Sequence, residues 1–158
     1  MSGPNPARVI AGDGQTDYMS VSRAFRLNEV VISIIDDDEL VRDAVRDLVR
    51  SLGYVAKAFA SAEDYLRSDS LWGSSCLITD VQMPGMSGAE LQDRLIEEGN
   101  RTPIIFITAY FDEKVRSSVL DEKVRSSVLK AGGYGFFKKP LDETAFVQCL
   151  EKALKAAA

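Results

Sequence analysis

Three aspartates stand in a row at Asp36, Asp37 and Asp38, directly after the β-branched run VVISII (Val30 to Ile35). A fourth, Asp80, closes a second apolar run, SCLITD. Thr108 and Ala109 close a third, TPIIFITA, and Lys138, Lys139 and Pro140 follow a fourth, YGFF. Carboxylates crowded at strand ends repel one another unless a cation sits among them. Hard oxygen ligands suit Mg²⁺, which accepts a few carboxylates and keeps several waters. A carboxylate beside bound Mg²⁺ stays ionised and can attack a phosphoryl group. A hydroxyl and an ammonium on neighbouring strands can then bind the phosphoryl oxygens. The plainer reading is that acids cap a helix and face solvent. It suits Asp38, which sits where a helix begins. It does not account for Asp36, Asp37, Asp80, Thr108 and Lys139 together.

The elements that must bring these residues together alternate along the chain. VVISII reads as a strand buried on both faces. DELVRDAVRDLVRSLG has helical period, with Val41, Ala44, Val45, Leu48 and Leu52 on one face and Gly53 as its stop. YVAKAF is a second strand, and SAEDYLRS is a short helix capped by Ser61. SCLITD, TPIIFITA and YGFF are strands three to five. GAELQDRLIEEG and LDETAFVQCLEKALKAA are helices. The order βαβαβαβαβα predicts a doubly wound, five-stranded parallel sheet with helices on both faces. In such a sheet ligands bind beyond the carboxyl ends of the strands, where the acids, Thr108 and Lys139 converge. Residues 1–28, with Gly3, Pro4, Pro6, Gly12 and Gly14, read as a flexible tail, and 29–158 as one domain.

Composition narrows the chemistry. The chain of 158 residues carries 46% hydrophobic and 27% charged residues and a net charge of −5, so backbone phosphates of nucleic acid would be repelled as a direct partner. Histidine is absent, which removes histidine metal sites, Ser-His-Asp catalysis and a phosphohistidine carrier. No apolar run approaches the roughly 20 residues that span a bilayer, and nothing reads as a secretory signal. Cys76 and Cys149 have no metal-ligand spacing and read as reduced thiols of a cytoplasmic protein.

IIDDDELVR, LITDVQMPGMSG, IIFITA and FFKKP, in that order, resemble the four signatures of bacterial two-component response-regulator receiver domains, over roughly Glu29 to Lys155. DVQMPGMSG and KKPLDE are most similar to receivers of the nitrogen-fixation type. The resemblance implies a flavodoxin-like (βα)5 fold with strand order 2-1-3-4-5. It implies that Asp80 accepts a phosphoryl group from a partner histidine kinase or phosphotransfer protein. Mg²⁺ would be held directly by Asp37 and Asp80, through water by Asp36, and by the backbone carbonyl of Gln82. Thr108 and Phe136 would be the switch residues, Lys139 would pair with the phosphoryl group, and the Lys139–Pro140 bond would be cis. Ala109 is small, as phosphoryl access requires. Such a domain signals to a downstream protein and catalyses only its own phosphorylation and dephosphorylation. The chain stops after the fifth helix, which leaves a stand-alone receiver and one cut from a longer regulator both open. A phosphatase with an aspartyl nucleophile would want an acid two residues after Asp80, where Gln82 stands.

The sequence departs from that pattern in one place. DEKVRSSVL, Asp112 to Leu120, returns letter for letter as Asp121 to Leu129. Thr108 and Gly132 are 24 positions apart, and removing one nine-residue copy restores the family's spacing of about fifteen. The repeat is confined to helix four, so a solenoid is excluded. Nine residues at about 100° each put the second copy half a turn out of phase. Val115, Val119 and Leu129 would then form one apolar stripe, and Leu120, Val124 and Val128 another. A continuous doubled helix would also end about 13.5 Å too far for strand five to return to its own sheet. The expectation is a homodimer swapped through helix four, hinged on Asp112 to Lys130, with Lys139 of one chain serving Asp80 of the other. Two alternatives stand beside it: one copy loops out of a monomer, or the duplication uncouples the phospho-switch and leaves a binding module.

Overall fold

The computed structural model describes residues 29–108 and 117–157. The tail expected over 1–28, Ala109, and Asp112 to Arg116 of the first copy lie outside the described residues. Val31–Ala158 form one unit. Its elements are β1 (Val31–Ile35), α1 (Glu39–Ser51), β2 (Val55–Phe59), α2 (Ala62–Leu66) and a 3₁₀ turn (Asp69–Leu71), then β3 (Cys76–Asp80) and α3 (Gly88–Glu97). They continue with β4 (Ile104–Thr108), α4 (Ser117–Lys130), β5 (Gly135–Lys138) and α5 (Glu143–Ala157). All neighbouring strands pair in parallel, as the alternation predicts, and in the order β2-β1-β3-β4-β5 that the resemblance implies.

β3 and β4 are buried at every position, the cost-free arrangement for apolar runs with helices on both faces. Register sets the strand ends level: Asp80 lies beside Ile107, and Thr108 beside Lys138. The helices start where expected. Asp38 caps α1, accepting from Leu40 N and Val41 N; Ser61 caps α2; Ser87 and Glu90 form a reciprocal capping box on α3. One helix face needs correction. Ala44 is exposed, whereas Val45 and Val49 are the residues of α1 that are buried. The core-facing stripe is therefore centred on the Val45–Val49 pair at i, i+4, one position round from the face that Ala44 extends. Among the described residues no helix is long and apolar enough to cross a membrane.

The doubled segment resolves differently from the expectation. Within the described residues α4 spans 14 residues, Ser117–Lys130. Val128, in the second copy, is 1% exposed, and Val124 and Leu129 pack against the same cluster as Phe106 and Leu91. Leu129 thus shares the core face with Val124 and Val128, which the expected phase put on a different stripe. The C-terminal end of α4 is pinned from outside the copies. Gln92 of α3, itself buried, donates from Nε2 to Val128 O at 3.0 Å, and Gly133 N donates to the same oxygen at 2.9 Å. Gly132 turns the chain at φ 109°, a conformation open to glycine. β5 pairs with β4, with Ile105 beside Gly135 and Thr108 beside Lys138.

Candidate functional site

The site is built at the carboxyl ends of β1, β3 and β4 and in the turn after β5. Asp36 follows the last residue of β1 and is wholly buried; Asp80 ends β3 and is 4% exposed; Thr108 ends β4 and is 2% exposed. Asp36, Asp37 and Asp80 each place a carboxylate oxygen within 4.8 Å of the other two. Asp37 is the exposed member. Lys139 closes the group: its Nζ donates to Asp36 Oδ2 at 3.1 Å and to Asp80 Oδ2 at 3.2 Å. The Lys139–Pro140 peptide is cis. Lys139 N also donates to Thr108 O at 3.0 Å, which continues the β4–β5 ladder one residue into the turn. Its neighbour Lys138 is exposed.

The electrostatics follow from burial. Burial pushes the Asp80 carboxyl above the usual carboxylate range, the Lys139 ammonium pulls it back, and Asp36 pushes it up again. Burial pulls the Lys139 ammonium down, but Asp80 and Asp36 more than offset that and hold it above the ordinary lysine value. Two buried carboxylates thus share one ammonium, with Asp37 beside them. That leaves an excess of buried negative charge, an oxygen-only donor set, and an exposed Asp37 at its mouth, which fits a hard divalent cation such as Mg²⁺.

The sequence-derived residues are not equally central. Asp36, Asp37, Asp80 and Lys139 meet directly. Thr108 adjoins them through the register. Gln82 is exposed in the loop after β3, and its N–H donates to Asp80 Oδ1 at 3.1 Å. Phe136 lies beside Phe106 on β5, half-buried against the core and not among the acids. Two supporting residues escaped the sequence reading. Arg42 donates from Nη1 to Asp36 O at 2.8 Å, and its place one turn into α1 was the available signal. Gly88, at the start of α3, lies so close to Asp80 O that a Cβ there would sit 2.3 Å from it. Nothing in the local sequence indicates that approach. Gly88→Ala is expected to push α3 away from Asp80 and cost about 1–3 kcal/mol, read as a lower midpoint in urea unfolding.

Comparison with known proteins matches residues 32–151 to the response regulator receiver domain family. The response regulator protein TmoT of Ectopseudomonas mendocina is 40% identical over 129 residues, covering 82% of this chain and 54% of TmoT. The transcriptional regulatory protein FixJ of Bradyrhizobium diazoefficiens is 30% identical over 128 residues, covering 80% of this chain and 57% of FixJ. Among solved structures, the response regulator StyR superposes with a TM-score of 0.68 at 33% identity, covering 82% of this chain and 61% of StyR. The chain spans about half the length of the curated relatives it matches. With the acids, the lysine and the sheet topology all in place, the chain belongs to the response regulator receiver family.

Proposed function

We propose that the chain accepts a phosphoryl group on Asp80 from a histidine kinase or phosphotransfer protein and signals by docking to a downstream protein. The observation that carries this reading is the cluster itself: three carboxylates within 4.8 Å of one another, with Lys139 bridging two of them. In this reading Asp37 and Asp80 hold Mg²⁺ directly, Asp36 holds it through water, and the Gln82 carbonyl completes the protein's share. When bound, Mg²⁺ offsets the charge of the carboxylates and of the incoming phosphoryl oxygens.

The chain's own groups do the rest. An Asp80 carboxylate oxygen forms a bond to phosphorus as the donor's bond to phosphorus breaks, and that bond's electron pair leaves with the donor. Lys139 ammonium stays charged and pairs with a phosphoryl oxygen. The Thr108 hydroxyl donates to another. Phe136 has no hydroxyl, so its response is a change of packing. Water later displaces phosphate from Asp80 and restores the carboxylate. A groove of about 390 Å³ beside Lys139, lined by Leu40, Val41, Ala44 and Leu48 of α1 and by Pro140 and Leu141, supports docking of a donor protein at the site. Leu40 there is 82% exposed. A cytoplasmic setting suits a cytoplasmic kinase domain as donor.

Acetyl phosphate with Mg²⁺ tests the reading. Intact-mass spectrometry should find one added phosphoryl group, mapped to Asp80, and chelation of Mg²⁺ should prevent it. Labelling elsewhere, or labelling indifferent to chelation, counts against it. Within the metal shell, Asp37→Ala should weaken Mg²⁺ binding more than Asp36→Ala, because a direct ligand outweighs one acting through water. Equal effects in a calorimetric titration would reverse the two assignments.

A further inference from the structure

The loop from Asp80 to α3 carries the Gln82 carbonyl, and a backbone carbonyl has no rotamer with which to aim itself. Only the path of the loop can point it. That path is held at several places. Val81 and Met83 are buried, while Gln82 and Pro84 between and after them are exposed. Gly88 N donates to Val81 O at 2.8 Å, closing the loop on itself. The remaining hold comes from a different element: Met86 N donates to Glu63 Oε2 at 3.0 Å, across 23 positions of sequence. Glu63 lies in the first turn of α2, a helix fixed by the Ser61 cap and by Ala62 and Tyr65, both wholly buried. Gly85 makes room for this carboxylate. It sits at φ 78°, and a Cβ there would lie 2.7 Å from Glu63 Oε2.

We propose that Glu63 is a positioning residue for the Asp80 site, acting through Met86 N–H to fix the path of residues 81–86 and so the direction of the Gln82 carbonyl. The inference rests on the phosphoacceptor reading, because it takes that carbonyl as a metal ligand. Glu63 touches neither metal nor phosphoryl group. Its leverage comes from two facts. The bond ties residues 23 positions apart, so nothing local to the loop replaces it. Mg²⁺ also tolerates little departure from octahedral geometry, so a misdirected carbonyl weakens the whole shell.

The test measures Mn²⁺ binding by electron paramagnetic resonance of the free ion, with thermal unfolding alongside. Glu63→Ala should raise the Mn²⁺ half-saturation on the order of 10-fold, the scale of outer-shell metal partners. It should slow acetyl phosphate labelling at low Mg²⁺ and let it recover at saturating Mg²⁺. Glu63→Gln should restore most of the affinity, since its amide oxygen accepts the same N–H. If Glu63→Ala is unfolded at the assay temperature, Glu63→Asp, one methylene short of Met86 N, replaces it with the same expected loss. An unchanged Mn²⁺ titration in a variant whose unfolding temperature falls would make Glu63 merely structural and overturn the proposal. So would a Glu63→Gln protein as weak as Glu63→Ala. Wild-type protein that binds no Mn²⁺ and takes no label would sink the phosphoacceptor reading instead, which separates the two failures.

Discussion

Asp80→Asn is expected to lose phosphoryl transfer while gaining stability in the absence of divalent cation. The amide has no nucleophilic oxygen to offer, so labelling by acetyl phosphate should fall on the order of 10³-fold or more, the scale on which removing a nucleophile acts. The gain in stability follows from burial. Asp80 is 4% exposed, and its carboxyl is held above the usual carboxylate range by burial, against the pull of Lys139. A raised folded-state pKa means that the folded chain binds this proton more tightly than the unfolded chain does. That contribution is fully present below the unfolded value and is lost as pH rises through the folded value. Ionisation of this buried carboxylate next to Asp36 therefore works against folding in the metal-free wild type, and Asp80→Asn removes the group. Its unfolding temperature at pH 7 should exceed the wild type's, by roughly 2–4 °C for each kcal/mol in a chain of this size. On acidification from neutrality the wild type should close the gap. Adding Mg²⁺ should raise the wild type and leave the variant nearly unmoved, because only the state that binds ligand is stabilised by it. A variant less stable than wild type without metal would show that Asp80 contributes more through Lys139 than it costs by burial.

Much of this site was legible because its chemistry depends on residue type at strand ends. Asp36, Asp37, Asp80, Thr108 and Lys139 each follow or close an apolar run, and a parallel sheet brings such ends to one edge whatever lies between. The supporting contacts were not legible, since they join residues with no local relation. Glu63 reaches Met86, and Gly88 meets the back of Asp80, only because α2 and α3 settle where they do. The α1 stripe shows the same limit on a smaller scale. Helical period marks a face to within about one residue, and the packing of Val49 decides where its centre falls.

Gly133→Val is expected to be the most damaging single change in the region of the duplication, because a side chain there meets Val128 O and the Phe106 ring. The two copies are identical, so their own residues cannot distinguish registers in which Val124 and Val128, or Val115 and Val119, face the core. The residues that follow them can. After the second copy come Lys130, Ala131, Gly132 and Gly133; after the first come Asp121, Glu122, Lys123 and Val124. In the seat of Gly132, at φ 109°, a lysine would be strained. In the seat of Gly133 a Cβ would meet Val128 O at 2.9 Å and the Phe106 ring at 3.0 Å. The Phe106 ring is fully buried and cannot withdraw. Gly133→Val brings that clash into the observed register and should cost about 1–3 kcal/mol, toward the upper end because β-branching adds bulk at the contact. Denaturant unfolding would read it as a lower midpoint at unchanged slope. Removing nine residues should do far less. Deleting either copy yields the same chain, with Val124, Val128, Leu129 and the glycines keeping their neighbours, so the midpoint should stay within roughly 1 kcal/mol of wild type, as for changes away from buried contacts. Light scattering of both lengths at micromolar concentration then tests the swap, which monomers at full length would exclude. A full-length dimer that becomes monomeric on deletion would support the swap and count against the register argument.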